Sequence, residues 1–130
     1  MVNLKNINFM SKTQFDELST LKDNELYAVN TPAVIDSYSD DSGNWYRVYS
    51  DGWVEQGGDC TLNQNNVNFH KPFANSNYNV QLTRTSNNYE FVPMVISKTT
   101  TYMTVVAHGV NNSTAVAQYT GNWRACGQGA

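Results

Sequence analysis

Trp45-Tyr46-Arg47-Val48-Tyr49-Ser50-Asp51-Gly52-Trp53-Val54-Glu55-Gln56-Gly57-Gly58 is the stretch whose reading decides the fold. Its aromatic and β-branched residues suit a pleated, half-buried surface. Asp51-Gly52 sits between two such runs. A two-residue type I′ turn needs positive φ at both central positions, and Asp-Gly is among the pairs that tolerate it. Trp45–Ser50 therefore reads as one strand, Trp53–Gln56 as its return, and Gly57-Gly58 as the end of the return strand. The turn fixes the register, rings support one another across the strands, and Arg47 can pair with Glu55 at or near the same rung. Trp45, Arg47, Asp51, Gly52, Trp53 and Glu55 are thus read as structural. The competing reading makes Trp45 and Trp53 a ligand platform.

Working outward, the period of two continues. Val34–Tyr38 reads as a strand and Ser39–Gly43 as a turn-rich, flexible loop. Val67 and Phe69 alternate with amides. Tyr78, Val80 and Leu82 alternate with Asn79, Gln81 and Thr83, the pattern of a half-buried strand with an amide face. Tyr89–Ile96 is apolar but contains Pro93, which confines it to an edge or a bulge. Thr100–Ala107 and Thr114–Tyr119 are further strands. Gly121-Asn122 reads as a turn before Trp123–Cys126, and Gly127–Ala130 as a frayed tail. Short strands at this spacing predict an all-β, antiparallel sandwich of roughly 8–10 strands rather than βαβ units.

The first 31 residues differ. Ser11 and Gln14 form a capping box, with Met10 and Phe15 at the staple positions. Phe15, Leu18 and Leu21 follow at helical spacing, so a helix is expected over about Lys12–Thr20, with a short strand at Glu25–Val29 and a break at Pro32. One helix and one strand cannot bury both faces. The expected organisation is a helix–strand connector over 1–31 and a sandwich over 32–130.

Composition removes several functions. The 130 residues carry a formal net charge of -3, and only 15% are charged. Amides and hydroxyls fill the surface instead: there are 18 Asn and 12 Thr. With eight Lys+Arg and no basic cluster, nucleic-acid binding lacks its electrostatic footprint. No apolar run approaches the ~20 residues of a membrane span, so no membrane insertion is expected. Met1–Met10 lacks the apolar core of a signal peptide. Cys60 and Cys126 are read as two free, partly buried thiols, with a single bridge between them as the alternative.

No catalytic constellation stands out. His70 and His108 have no metal-ligand spacing, so no metal or cofactor is expected. Asp40-Asp41 and Asp51/Glu55 are the closest acid pairs. A glycosidase needs two carboxyls about 5–9 Å apart on rigid elements. A loop and a turn are poor places for them, so the chain is read as a non-enzyme. Recognition falls to two loops, Ser86–Tyr89 and His108–Ser113. Asn87, Asn88, Tyr89, His108, Asn111 and Asn112 there supply amides with a ring nearby.

The hairpin string resembles the Y-R-x-[YW]-S-D-G-W-x-E-Q-G-G hairpin of C-terminal domains in bacteriophage and prophage tail fibres. Val67-Asn68-Phe69-His70-Lys71-Pro72-Phe73, Asn77-Tyr78-Asn79-Val80 and Trp123-Arg124-Ala125-Cys126-Gly127 resemble further elements of that family, in the same order. Ser11–Val29 is similar, more loosely, to a helix–strand unit of phage tail proteins. The resemblance implies a β-sandwich tip domain that forms a homotrimer and joins other tail-fibre proteins in the virion after synthesis in the host cytoplasm. It further implies attachment to a bacterial surface receptor, a glycan or a protein. The alternative within the same family is a purely structural trimerisation or capping module. An amide- and Tyr-rich surface is compatible with carbohydrate, since such rings pair an apolar body with a polar tip.

Overall fold

The computed structural model describes residues 6–16, 25–87, 91–109 and 119–130. The chain divides into two compact units, Met1–Ala33 and Val34–Ala130.

In the first unit, β1 (Asn6–Ser11) and β2 (Glu25–Asn30) pair in parallel, with α1 (Lys12–Asp16) following β1 directly. The sequence reading had the helix start and the second strand but not β1. The alternation of Asn6, Asn8 with Ile7, Phe9 is its strand signal, to which the sequence reading assigns no element. Lys12 and Asp16, one helical turn apart, form an exposed ion pair at 2.6 Å. The expected remainder of the helix, to Thr20, lies outside the described residues.

The second unit is an antiparallel sandwich. One sheet orders β3 (Val34–Ser39), β4 (Trp45–Tyr49), β5 (Trp53–Thr61), β10 (Thr120–Gln128) and β7 (Asn79–Arg84). The other orders β6 (Asn65–Asn68), β9 (Tyr102–Gly109) and β8 (Phe91–Lys98). The core lies between them: Val54, Trp123 and Ala125 from the first sheet meet Val67, Met103, Val105 and Ala107 from the second, with Leu62, Phe73 and Tyr78. Phe69, partly buried, packs against this core, edge-on to Phe73 and Tyr78 at 5.1 Å each and 5.7 Å from Trp123. Pro93 lies on an edge strand, with a bulge between Val95 and Ser97, because it has no N–H for a second neighbour. The expected strand Thr114–Tyr119 falls largely outside the described residues.

Four expectations about turns and ends are corrected. The β4–β5 connection is a three-residue loop, not a two-residue type I′ turn. Gly52 N–H donates to the Tyr49 carbonyl at 2.9 Å, and of the loop residues only Gly52 has positive φ, at 83°. That is the pattern of a turn closed by a left-handed glycine bulge. The Asp51 carboxylate, instead of lending positive φ, accepts from Trp53 N–H at 3.0 Å.

The glycines read as punctuation lie inside strands. Gly57 and Gly58 continue β5, and Gly121 is within β10. A Cβ on Gly57 would stand 2.6 Å from the Trp123 carbonyl oxygen and 2.9 Å from the Trp45 indole nitrogen. On Gly121 it would meet the Thr83 carbonyl at 2.8 Å. They mark close approach, not chain reversal. The C-terminal tail is tied down: Gly129 N–H donates to the Gly52 carbonyl at 2.8 Å and Ala130 N–H to the Pro72 carbonyl at 3.1 Å. The Ser39–Gly43 loop is pinned as well. The Asp40 carboxylate accepts from Ser42 N–H, Asn44 N–H, the Asn44 amide and the Tyr38 hydroxyl, and these bonds, the Asn44 amide first, hold its pKa below the usual range.

Cys60 and Cys126 are both free. Cys60 pairs with Gly121 and Cys126 with Glu55. Five strand residues separate those rungs, about 17 Å at ~3.4 Å per residue. A disulfide needs Cα atoms within about 7 Å.

Candidate functional site

β10 alternates throughout, and β5 does so except at Gly57, which is buried although it stands in the outward phase. Val54 and Gln56 on β5, and Trp123 and Ala125 on β10, point into the core. Glu55 and Arg124 point to the other face, which carries Trp45 and Arg47 from β4 through the rungs Trp45↔Gly57, Arg47↔Glu55 and Arg124↔Gly57. Among the described residues of this unit, the second sheet covers only the inner face.

On that outer face lies an open hollow of about 520 Å3, lined by Ser39, Asp40, Gly43, Asn44, Trp45, Arg47, Glu55 and Arg124. Its charges are arranged unequally. Arg124 Nη2 donates to Glu55 Oε1 at 3.0 Å, and the Tyr49 hydroxyl donates to Glu55 Oε2 at 3.3 Å. The expected Arg47–Glu55 pair does not form, although the two residues face each other across the rung. Arg47 instead lays its guanidinium over the Trp45 ring, 5.8 Å from the centroid. Trp45 in turn has its indole nitrogen edge against Gly57. A larger side chain at Gly57 would lift the ring.

A second hollow of about 620 Å3 continues along the same ladder, lined by Asp59, Cys60, Thr61, Thr85, Thr120, Gly121 and Asn122. The Asn122 amide donates to Asp59 across the Asn122↔Asp59 rung, which lies two residues from Arg124. The two hollows thus follow one strand for about 14 Å from Arg124 to Thr120, at ~3.4 Å per residue.

Of the residues expected to bind ligand, Asn87 is exposed just beyond β7. His108 is half-buried on β9 opposite Val92, in a strand rather than a loop. Asn88, Tyr89, Asn111 and Asn112 lie outside the described residues. The ends of the two loops do converge. Phe91 pairs with Gly109, Arg84 pairs with Gly121, and Arg84 Nη1 donates to the Phe91 carbonyl at 2.6 Å. Thr85, beside this junction, lines the second hollow.

Trp53 does not join Trp45 in one platform. It is 36% exposed and lines a separate hollow of about 200 Å3 with Asn75, Asn77 and Gln128. The sequence reading missed Asp40, Asn44 and Arg124 as neighbours of Trp45. Arg124 was visible only as part of a closing W-x-A-x-G element, and its outward phase in β10 was the signal that could have placed it. His70 sits in an unanticipated ring cluster, 5.6 Å from Tyr38 and 6.1 Å from Tyr46, with Lys71 over Tyr46 and paired to Asp36 at 2.8 Å. Among the described residues no group of three or more His, Cys, Asp or Glu is placed to hold a metal ion, and no helix is long and apolar enough to cross a membrane.

No family model and no curated protein matches the chain. Two solved structures share its fold. An N-truncated R2-type pyocin tail fibre superimposes with a TM-score of 0.55 at 18% identity over 74% of this chain. The R2 pyocin fibre of P. aeruginosa, in a C-terminal fragment, gives the same three values. The chain spans 39% and 27% of the lengths of these two fibre chains. The all-β fold read from the sequence is therefore one that tail fibres use.

Proposed function

We propose that this chain is a tail-fibre module that attaches a virion to a saccharide on the bacterial surface. The observation that carries the reading is the open hollow beside Trp45 on a fold shared with tail fibres. An indole wall, two guanidinium groups, two carboxylates and an amide converge there, and sugars are recognised by apolar ring contact combined with planar polar groups. The second hollow, with Thr85 beside the junction of the loop ends, extends the same surface. Binding is non-covalent and weak at each site, and copies of the site on one fibre strengthen it by avidity.

Assembly belongs to the proposal. Both sheets end in edge strands with exposed apolar side chains: Val34 and Ile35 on β3, and Val92, Met94 and Ile96 on β8, the last three 45–50% exposed. Exposed edges and apolar stripes of this kind are normally covered. A homotrimer covers them, and the same observation favours the second reading, a structural module that caps or trimerises a fibre without binding sugar. The module acts with other tail-fibre proteins in the virion, needs no cofactor, and does not cut its ligand. Asp40 and Glu55 are both committed to local donors rather than poised as an acid and a base.

Retention of the purified chain on intact host cells and on a saccharide array tests the proposal. Trp45→Ala is expected to abolish retention while the far-ultraviolet spectrum is unchanged. Retention on neither surface, with a stable trimer by sedimentation, replaces binding by the structural role. A stable monomer at micromolar concentration removes the assembly claim.

A further inference from the structure

We infer that the Trp45 hollow selects an anionic saccharide, with Arg47 as the residue that receives its carboxylate or phosphate; this rests on the saccharide-binding reading above. The argument is a count of unused hydrogen-bonding capacity. Both carboxylates of the hollow already have donors. Asp40 accepts from Ser42, Asn44 and Tyr38, and Glu55 from Arg124 and Tyr49. Of the chain's three arginines, Arg124 is paired with Glu55 and Arg84 with the Phe91 carbonyl at 2.6 Å. Arg47, among the described residues, has neither a carboxylate nor a carbonyl partner and contacts only the face of Trp45. A stacked guanidinium keeps its in-plane N–H groups free, and that fork matches a carboxylate or phosphate in a bidentate pair.

Trp45 also restrains the arginine before any ligand arrives. Cation–π contact with the indole biases the long side chain toward one arrangement. In this account Trp45 is a positioning residue as well as a wall of the hollow. Gly57, by letting the indole lie against the strand, permits the arrangement. The committed Glu55 and Asp40 carboxylates border the site and oppose an anion that arrives off-centre, so the ligand's charge must fall at Arg47. A neutral sugar offers that guanidinium hydroxyl acceptors but not the stronger charge-assisted, bidentate pair.

The test uses the whole chain on an array of uronic- and sialic-acid saccharides, their carboxyl-reduced counterparts, phosphorylated saccharides and neutral parents. At least tenfold tighter binding to one anionic class than to its neutral counterpart is expected, and which class binds distinguishes carboxylate from phosphate. Arg47→Gln is expected to erase that preference and Arg47→Lys to restore part of it, because lysine keeps charge but loses the fork. Lys12→Gln removes an equal charge elsewhere and is expected to leave the preference intact. Equal binding to acidic and reduced saccharides, or an Arg47→Gln protein that keeps its preference, overturns the inference while leaving saccharide binding standing. An absence of binding to every saccharide overturns both. Circular dichroism of each variant confirms that losses are not unfolding, and Arg47→Lys, with the smallest change in bulk, decides the matter where Arg47→Gln is unstable.

Discussion

The two faces of the β5–β10 ladder are built from the same two strands, yet they do opposite work. Inward lie Val54, Gln56, Trp123 and Ala125, all nearly inaccessible, with Trp123 only 5% exposed. Outward lie Glu55 and Arg124, joined on the same surface by Trp45 and Arg47 from β4. Strand geometry sends neighbours to opposite faces, so one residue of phase decides whether a tryptophan stabilises the sandwich or lies on the proposed binding face. The comparison teaches that the abundance of rings in the hairpin says little by itself, whereas their phase says a great deal.

The sharpest way to break that comparison is to truncate one tryptophan on each face. Trp123→Ala removes a ring that packs on Phe69 and is expected to cost about 3–5 kcal/mol, visible as a large fall in the denaturant midpoint. Trp45→Ala is expected to cost less than about 1 kcal/mol, in line with other surface changes, while retention on saccharide is lost. Similar destabilisation by the two variants would dissolve the distinction between a structural and a recognition face.

Gln56 sharpens it from within the core. Although fully buried, its amide donates to the Lys71 carbonyl at 2.7 Å and its carbonyl accepts from Lys71 N–H at 3.2 Å. It therefore serves as a surrogate strand partner for the 69–73 segment, which carries Phe69 and Phe73 into the core. Gln56→Leu strands both backbone groups, at about 1–3 kcal/mol each where water cannot reach them. Proteolysis near Lys71 is expected to accelerate before global unfolding does. An unchanged cleavage pattern would show that the segment is held by its aromatic contacts alone.

Gly57 sits where the two faces meet. Gly57→Ala places a methyl against the Trp123 carbonyl, which is backbone and cannot swing away, and against the Trp45 indole. Overpacking of this kind costs typically about 1–3 kcal/mol. Unlike the core and surface variants, it is expected to lower both thermal stability and saccharide retention. Loss of retention alone would mean that the ring moves and the strand does not.

That glycine also shows what the sequence could and could not convey. The hairpin, the half-buried alternation of β7 and the edge placement of Pro93 all follow from local period and turn chemistry. Gly57, Gly58 and Gly121 were misread because a glycine that ends a strand and one that admits a neighbouring group look identical without the neighbour. β1 escapes the reading because its partner residues in β2 lie nineteen positions on, and a parallel pair leaves no hairpin signature. The site was legible only in part. Trp45 stands out, but Asp40 and Asn44 lie in the adjoining loop, which reads only as turn chemistry, and Arg124 comes from the distant β10. Rung adjacency assigns Arg47 to Glu55, whereas the partner is Arg124, which reaches Glu55 diagonally from the Gly57 rung of β10, an arginine no local pattern could bring there.

The smallest expected effect lies at alkaline pH and belongs to the inner face. Burial pushes the Cys60 thiol from 9.0 up to about 11, with the nearby Asp59 charge adding to the shift, and burial pushes the Tyr78 hydroxyl from 10.0 up to about 12. The unfolded chain therefore releases these protons at lower pH than the folded one. Where the native state holds more protons than the unfolded state, stability declines as pH rises. The contribution of Cys60 is complete below pH 9 and fades between about 9 and 11. That of Tyr78 fades between about 10 and 12. Denaturant midpoints measured upward from pH 8 are expected to hold steady and then fall, and Cys60→Ala is expected to remove the earlier part of the decline. Iodoacetamide is expected to modify Cys60 slowly in the native protein at pH 8, because the thiolate is the reactive form, and quickly in urea. A midpoint that falls with the same profile in Cys60→Ala would place the alkaline sensitivity elsewhere and weaken the picture of an inner face that is dry enough to hold its protons.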